Sequence, residues 1–141
     1  MSGRTARVLA YVTRERAGRT ELLVFEQQGD PEAGTQVPAG RADPGESAEQ
    51  TLRRELHEEA GLDRVTIVRE LAVLGDWVAQ SPYDNHAFEV RIDGGPPADT
   101  WEHVVHGDGD DAGLVFCYRW APLEPGLDLW GGLDPTYEQL L

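Results

Sequence analysis

The chain has 141 residues, with 26 acidic against 12 basic side chains and a net charge of −14, which favours one domain with a single core across residues 1–141. Hydrophobic residues make up 40% of it, enough for a globular fold, yet no run of about 18 apolar residues exists, which excludes a transmembrane helix. The acid excess is uneven, 13 acids against 10 Arg over residues 1–70 and 13 against 2 over residues 71–141, and such a surface repels DNA or long RNA.

All twelve bases are arginine. A small anionic substrate is still compatible with this charge if a cation or a few arginines neutralise it locally. Cys117 is the sole cysteine and so has no internal disulfide partner. The polar N-terminus lacks a signal-peptide pattern, so the expectation is a cytoplasmic protein that does not engage membranes.

In chain order, residues 6–13 and Thr20–Glu26 read as a β-hairpin turning near Ala17-Gly18. Residues 28–36 are a polar loop, and Val37-Pro38-Ala39-Gly40 is a short extended piece. Asp43-Pro44-Gly45 has the residues of a type II turn. Ser47 with Gln50 three residues later forms a capping box, opening a helix over Ala48–Ala60 that stops at Gly61. Strand patterns follow at Val65–Leu74, His86–Ile92 and Leu114–Trp120. Asp93–Thr100 and His106–Gly113 read as loops, and Asp134-Pro135 as the start of a short C-terminal helix. Strands flanking one central helix predict a mixed sheet with helices packed on it, an α/β arrangement.

On a helical wheel at ~100° per residue, Ala48, Leu52, Leu56 and Ala60 form the stripe that faces the sheet. Glu59 falls inside that stripe, with Glu55 and Glu58 beside it. Two carboxylates ~5 Å apart repel by roughly 3 kcal/mol at an effective dielectric near 20. Either they hold protons or a cation neutralises them, and oxygen ligands of this kind suit Mg²⁺, Mn²⁺ or Ca²⁺ rather than zinc. Arg54, about one turn before Glu58, can hold one carboxylate in place.

From Gly40 the chain reads five residues to Glu46, seven more, then Arg54-Glu55-Leu56-His57-Glu58-Glu59-Ala60-Gly61-Leu62. This resembles the signature of the Nudix (MutT/Nudix) family at every fixed position. The resemblance covers 23 residues and implies an α/β/α sandwich with a mixed sheet and a catalytic loop–helix–loop. It further implies a metal-dependent hydrolase that cuts a diphosphate linkage in a nucleoside diphosphate joined to another group. Alternative readings are a triphosphate-sanitising enzyme and a nucleotide-sensing module. Glu55, Glu58, Glu59 and the carbonyl of Ala39 would then hold Mg²⁺ or Mn²⁺, with Glu46, Gly40 and Arg54 orienting them. Glu55 is the favoured general base and Glu102 the second choice, with Glu89 and the acids of Asp108–Asp111 as further candidates.

Arg41, Trp77, Tyr83 and Trp101 are candidate substrate contacts, the aromatics because each lies beside turn-forming residues and can stack on a base. None of His57, His86, His103 and His106 is expected to be catalytic, and Cys117 reads as ordinary strand packing. Trp130 beside Gly131-Gly132 is a candidate homodimer contact. The partner expected is a small nucleotide-like molecule, not nucleic acid or membrane.

Overall fold

A computed structural model describes residues 4–75, 80–107, 109–130 and 134–141. Its strands are β1 (Thr5–Arg16), β2 (Arg19–Gln27), β3 (Ala39–Arg41), β4 (Val65–Leu71), β5 (Tyr83–Ile92), β6 (Thr100–Val104) and β7 (Val115–Pro122). The helices are α1 (Ala48–Ala60) and the short α2 (Asp134–Tyr137). The strands run in the order β4-β5-β1-β2-β7-β6, with β3 paired to β1. Only the β1–β5 pairing is parallel, so the sheet is mixed as expected.

The β1–β2 hairpin closes with Arg16 opposite Arg19, and both turn residues, Ala17 and Gly18, have φ of 52° and 77°. Two left-handed residues match the twist of a two-residue hairpin. At the second turn, Gly45 has φ 82° and the Glu46 N–H donates to the Asp43 carbonyl at 3.0 Å, the geometry that Pro-Gly dictates. Ser47 and Gln50 cap each other's backbone at the start of α1, and Gly61 ends it at φ 70°.

The sheet has two apolar faces. Leu52, Leu56 and Ala60 of α1 pack on Val8, Ala10, Val12, Leu23, Phe25 and Val90. The opposite face gathers Leu9, Tyr11, Leu22, Val24 and Ala87 with Leu129 and Tyr137. Among the described residues no helix is long and apolar enough to cross a membrane. Trp130 is half exposed, with its side chain against Gly34; residues 131 and 132 lie outside the described residues.

Most strand ends shift by one to three residues from the sequence reading, and three differences bear on the site and its surroundings. The fourth strand ends at Leu71 rather than Leu74, because side chains of the C-terminal segment take over its backbone partners. Gln139 bonds both the N–H and the carbonyl of Ala72, and the Thr136 hydroxyl bonds both those of Leu74. The next strand begins at Tyr83 rather than His86, since parallel pairing with β1 starts at Thr5 opposite Tyr83. Thr100–Val104, of which the sequence reading assigns only Thr100, and that to a loop, is strand β6, paired along its length with β7.

That missed strand has a definite task at the end of α1. A helix leaves its last four carbonyls without partners, and here each finds one. His57 O accepts from Gly61 N–H, and Glu58 O accepts from His106 N–H at 3.0 Å. His103 Nε2 also lies 3.0 Å from Glu58 O, which fixes the proton on that nitrogen because a carbonyl only accepts. The Tyr118 hydroxyl donates to Glu59 O at 2.9 Å, and Trp101 Nε1 donates to Ala60 O at 3.1 Å. Trp101 also stacks on Tyr118.

Tyr118 is buried, so Tyr118→Phe strands the Glu59 carbonyl without its donor. The expected loss is about 1–3 kcal/mol, read as a lower urea midpoint at unchanged slope. Identical midpoints would show that this bond contributes nothing to holding the helix end.

Candidate active site

The loop that leaves β3 and the first turns of α1 are tied together by one guanidinium. Arg54 Nε and Nη2 donate to the two oxygens of Glu46 at 2.7 and 3.0 Å. Its Nη1 donates to Glu55 at 2.9 Å and Glu58 at 3.1 Å, and Nη2 also reaches the Arg41 carbonyl at 2.9 Å. Asp43 stands 3.3 Å from Nε. The planar fork suits several carboxylates at once, which a lysine could not match. Glu46 is held down to about 2 by its bond to Arg54, and the Arg54 guanidinium is raised by the same bond. Glu46 also accepts from the Thr51 hydroxyl and the Asp43 N–H, so it is the anchor through which the turn and the helix are joined.

Glu59 is 3% exposed, on the apolar stripe where the wheel placed it. Burial pushes its carboxyl well above the ordinary value, and its hydrogen bond with Glu55 pushes it the same way. Burial also raises Glu55, with the bond to Glu59 working against that rise. Both shifts favour the neutral carboxyl, more strongly at Glu59. The Ala39 N–H donates to Glu59 at 3.4 Å. A Cβ at Gly40 would overlap the Glu55 carboxylate, so any larger residue here would push that side chain from its place. Glu58 is seated likewise, with a Cβ at Gly107 falling 2.7 Å from its carboxyl carbon.

A cavity of about 740 Å³ opens over these groups. It brings together the expected Ala39, Gly40, Arg41, Arg54, Glu55, Glu58, Glu59 and Tyr83. Arg41 Nη1 donates to the Tyr83 hydroxyl at 3.5 Å. Arg7, Asp110 and Asp111 also line it. Arg7 was missed because it reads as one position of an alternating strand, and only the pairing of β1 with β3 carries it to the site.

Other candidates fall elsewhere. Trp101 and His103 turn their side chains to α1, so strand alternation sends Glu102 to the opposite face. Glu102 is exposed there, opposite Cys117, and is not among the residues that line the cavity. Glu89 also faces away from α1, bonded to Thr13 and Arg69. Trp101 is spent on the helix end and on Tyr118 rather than facing the cavity. Trp77 and Asp108 lie outside the described residues.

Does the donor set fit a divalent cation? Glu55 and Glu59 are hydrogen-bonded neighbours, and a cation between them would relieve two crowded carboxylates. Glu58 borders the same cavity and needs only to turn from Arg54. Among the described residues no three acids are gathered tightly enough to enclose an ion as they stand. The chemistry of the set, three carboxylates at one cavity wall, fits a hard cation.

The fold matches known proteins. The chain superimposes on UDP-X diphosphatase at TM-score 0.67 and 16% identity, covering 99% of this chain and 62% of that one, so it spans about three fifths of that protein. A C. elegans Ap4A hydrolase matches at TM-score 0.66 and 19% identity, covering 96% and 94%. The NUDIX domain of Shewanella oneidensis NrtR, complexed with ADP ribose, matches at 0.58 and 19%, covering 99% and 85%. No curated protein sequence matches. The NUDIX domain model matches residues 3–137, and the chain belongs to the Nudix family.

Proposed function

We propose that this protein hydrolyses a diphosphate linkage in a small nucleotide-like molecule with the help of Mg²⁺ or Mn²⁺. The observation that carries the reading is the buried Glu59 beside Glu55 at the wall of the 740 Å³ cavity, with Glu58 on the same wall. Structurally similar proteins include a UDP-X diphosphatase, an Ap4A hydrolase and a domain complexed with ADP ribose, which supports a nucleotide diphosphate derivative as substrate. The choice among these is open to a substrate screen.

Glu55, Glu58, Glu59 and the Ala39 carbonyl would hold the cation. When bound, it offsets charge on the diphosphate and makes water a better nucleophile at neutral pH. Glu55 lines the cavity and is the group placed to take a proton from the attacking water. Arg54 fixes Glu55 through its Nη1 while its other nitrogens are held by Glu46, so the base is oriented by an arginine of the cavity wall that Glu46 anchors. With Glu102 on the far face, Asp110 and Asp111 are the remaining described acids from the loop that border the cavity.

Chelator should abolish hydrolysis, and added Mg²⁺ or Mn²⁺ should restore it. Glu55→Gln should lower kcat by about 10²–10⁴, measured by chromatography of products from a panel of nucleotide diphosphate derivatives. Undiminished turnover in chelator would overturn the mechanism.

Glu59 gives a second test, through stability. Its folded pKa is raised, so the folded state binds more protons than the unfolded one between the two values. Its contribution is therefore neutral below the unfolded carboxylate pKa and becomes a growing penalty as pH rises. Without metal, Glu59→Gln should melt at or above the wild-type temperature at pH 7–8, with the advantage shrinking toward pH 4. Cation at about ten times its Kd should stabilise the wild type by roughly 1.4 kcal/mol and the variant far less. A variant that retains the full metal-induced shift would show that Glu59 is not a ligand.

A further inference from the structure

The sheet divides at the end opposite the carboxylates. β1 and β5 run parallel from Thr5 beside Tyr83 to Val12 beside Val90. Beyond that point β1 follows β2 as far as Arg16, while β5 follows β4 as far as Ile92. A crevice of about 400 Å³ opens at the parted ends, bordered by Gly95, Pro96 and Asp99 of the loop that leaves β5. Crevices outside the carboxyl ends of parallel strands are where α/β sheets take up ligands, and this volume suits a small organic molecule. Arg14 stands seven residues along β1 from Arg7, which at the rise of a strand is roughly 20 Å. The crevice is therefore distinct from the carboxylate cavity.

Residues 71–141 contain two arginines, and one of them, Arg91, meets Arg14 and Arg16 at this crevice. Arg14 is fully engaged, lying 4.5 Å over the Trp120 ring and donating to Glu21 at 2.7 Å and Asp99 at 3.0 Å. Arg16 and Arg91 have one carboxylate each, Asp99 at 2.7 Å and Glu15 at 3.5 Å. All four side chains of these two pairs are at least 41% exposed. Exposed pairs add little stability, so an incoming anion replaces Asp99 or Glu15 with little loss. Trp120 supplies a second observation. It is buried in the apolar cluster under α1, and its indole N–H has no acceptor among the described residues. A buried donor without an acceptor is unfavourable. Its core neighbours are apolar, which leaves the crevice as the source of one.

We infer that this crevice is a second ligand site, which takes a small organic anion, a carboxylate or a phosphate ester. The charged end meets Arg16 and Arg91, whose guanidinium forks match either oxyanion. The apolar body lies against Ile92 and Pro96, and an oxygen of the ligand gives the Trp120 N–H its missing acceptor. The site stands whether or not the carboxylate cavity hydrolyses a diphosphate.

The chain has four tryptophans, so its indole N–H signals in a nitrogen-correlated NMR spectrum can be followed one by one. The Trp120 signal is assigned by Trp120→Phe, or by elimination with the other three replaced singly. Benzoate and phenyl phosphate are titrated as the carboxylate and the phosphate ester. Benzyl alcohol is the uncharged control, and inorganic phosphate the control without an apolar body. At least one of the two organic anions should move the Trp120 signal saturably below roughly 10 mM, about fivefold or more tighter than either control. Which of them does so identifies the charged group. Arg16→Gln and Arg91→Gln should each weaken that binding by about fivefold or more, and either one suffices if the other fails to fold. The absence of a saturable shift would overturn the site, as would equal affinity for either control or unchanged affinity in the folded variants.

Discussion

The Arg54 guanidinium among the carboxylates of Asp43, Glu46, Glu55 and Glu58 is the contact on which the rest of the site depends. A helix turn with acids at Glu55, Glu58 and Glu59 is electrostatically uncomfortable wherever it is half buried, because the repulsion is poorly screened. One cation from the same helix relieves two of those acids, and its other edge holds the loop that delivers Gly40. The loop and the helix are thus fixed by the same charge that steadies the carboxylates. Glu59 is left outside this arrangement, buried on the apolar stripe beside Glu55.

Much of this was legible in the chain itself because it is local. Ser47 with Gln50, Gly45 after Pro44, and Gly61 after Ala60 each decide a backbone conformation within a few residues, and each appears as read. The wheel placed Glu59 in the apolar stripe, and the side chain is buried there. The spacing from Gly40 to Leu62 pointed to the family, and the match over residues 3–137 agrees.

What was not legible depends on pairing between distant segments. The strand Thr100–Val104 alternates between side chains that serve the helix and side chains that meet solvent, with little apolar signal to mark it. Its register decided that Trp101 and His103 face α1 while Glu102 does not, and no local pattern contains that choice. Arg7 became a site residue only through its pairing with β3. Leu71-Ala72-Val73-Leu74 is a continuous apolar run, so nothing in it announced that Gln139 and Thr136, more than sixty residues away, would take over its backbone.

The donors at the end of α1 have one more consequence. Trp101, His103, Tyr118 and the His106 amide each address a different carbonyl or share one, and together they act as a key cut to a single angular setting of the helix. Rotating α1 by one residue, or sliding it along its axis, would break all of these bonds at once. The azimuth of the glutamates relative to the sheet is therefore an indexed quantity, not an adjustable one. Adaptation to substrates of different length has to come from the loops that border the cavity, while the helix serves as a fixed datum. Insertion of a single residue in β6 would turn Trp101 and His103 to the far side and erase that datum, even though every residue of the signature from Gly40 to Leu62 stayed in place.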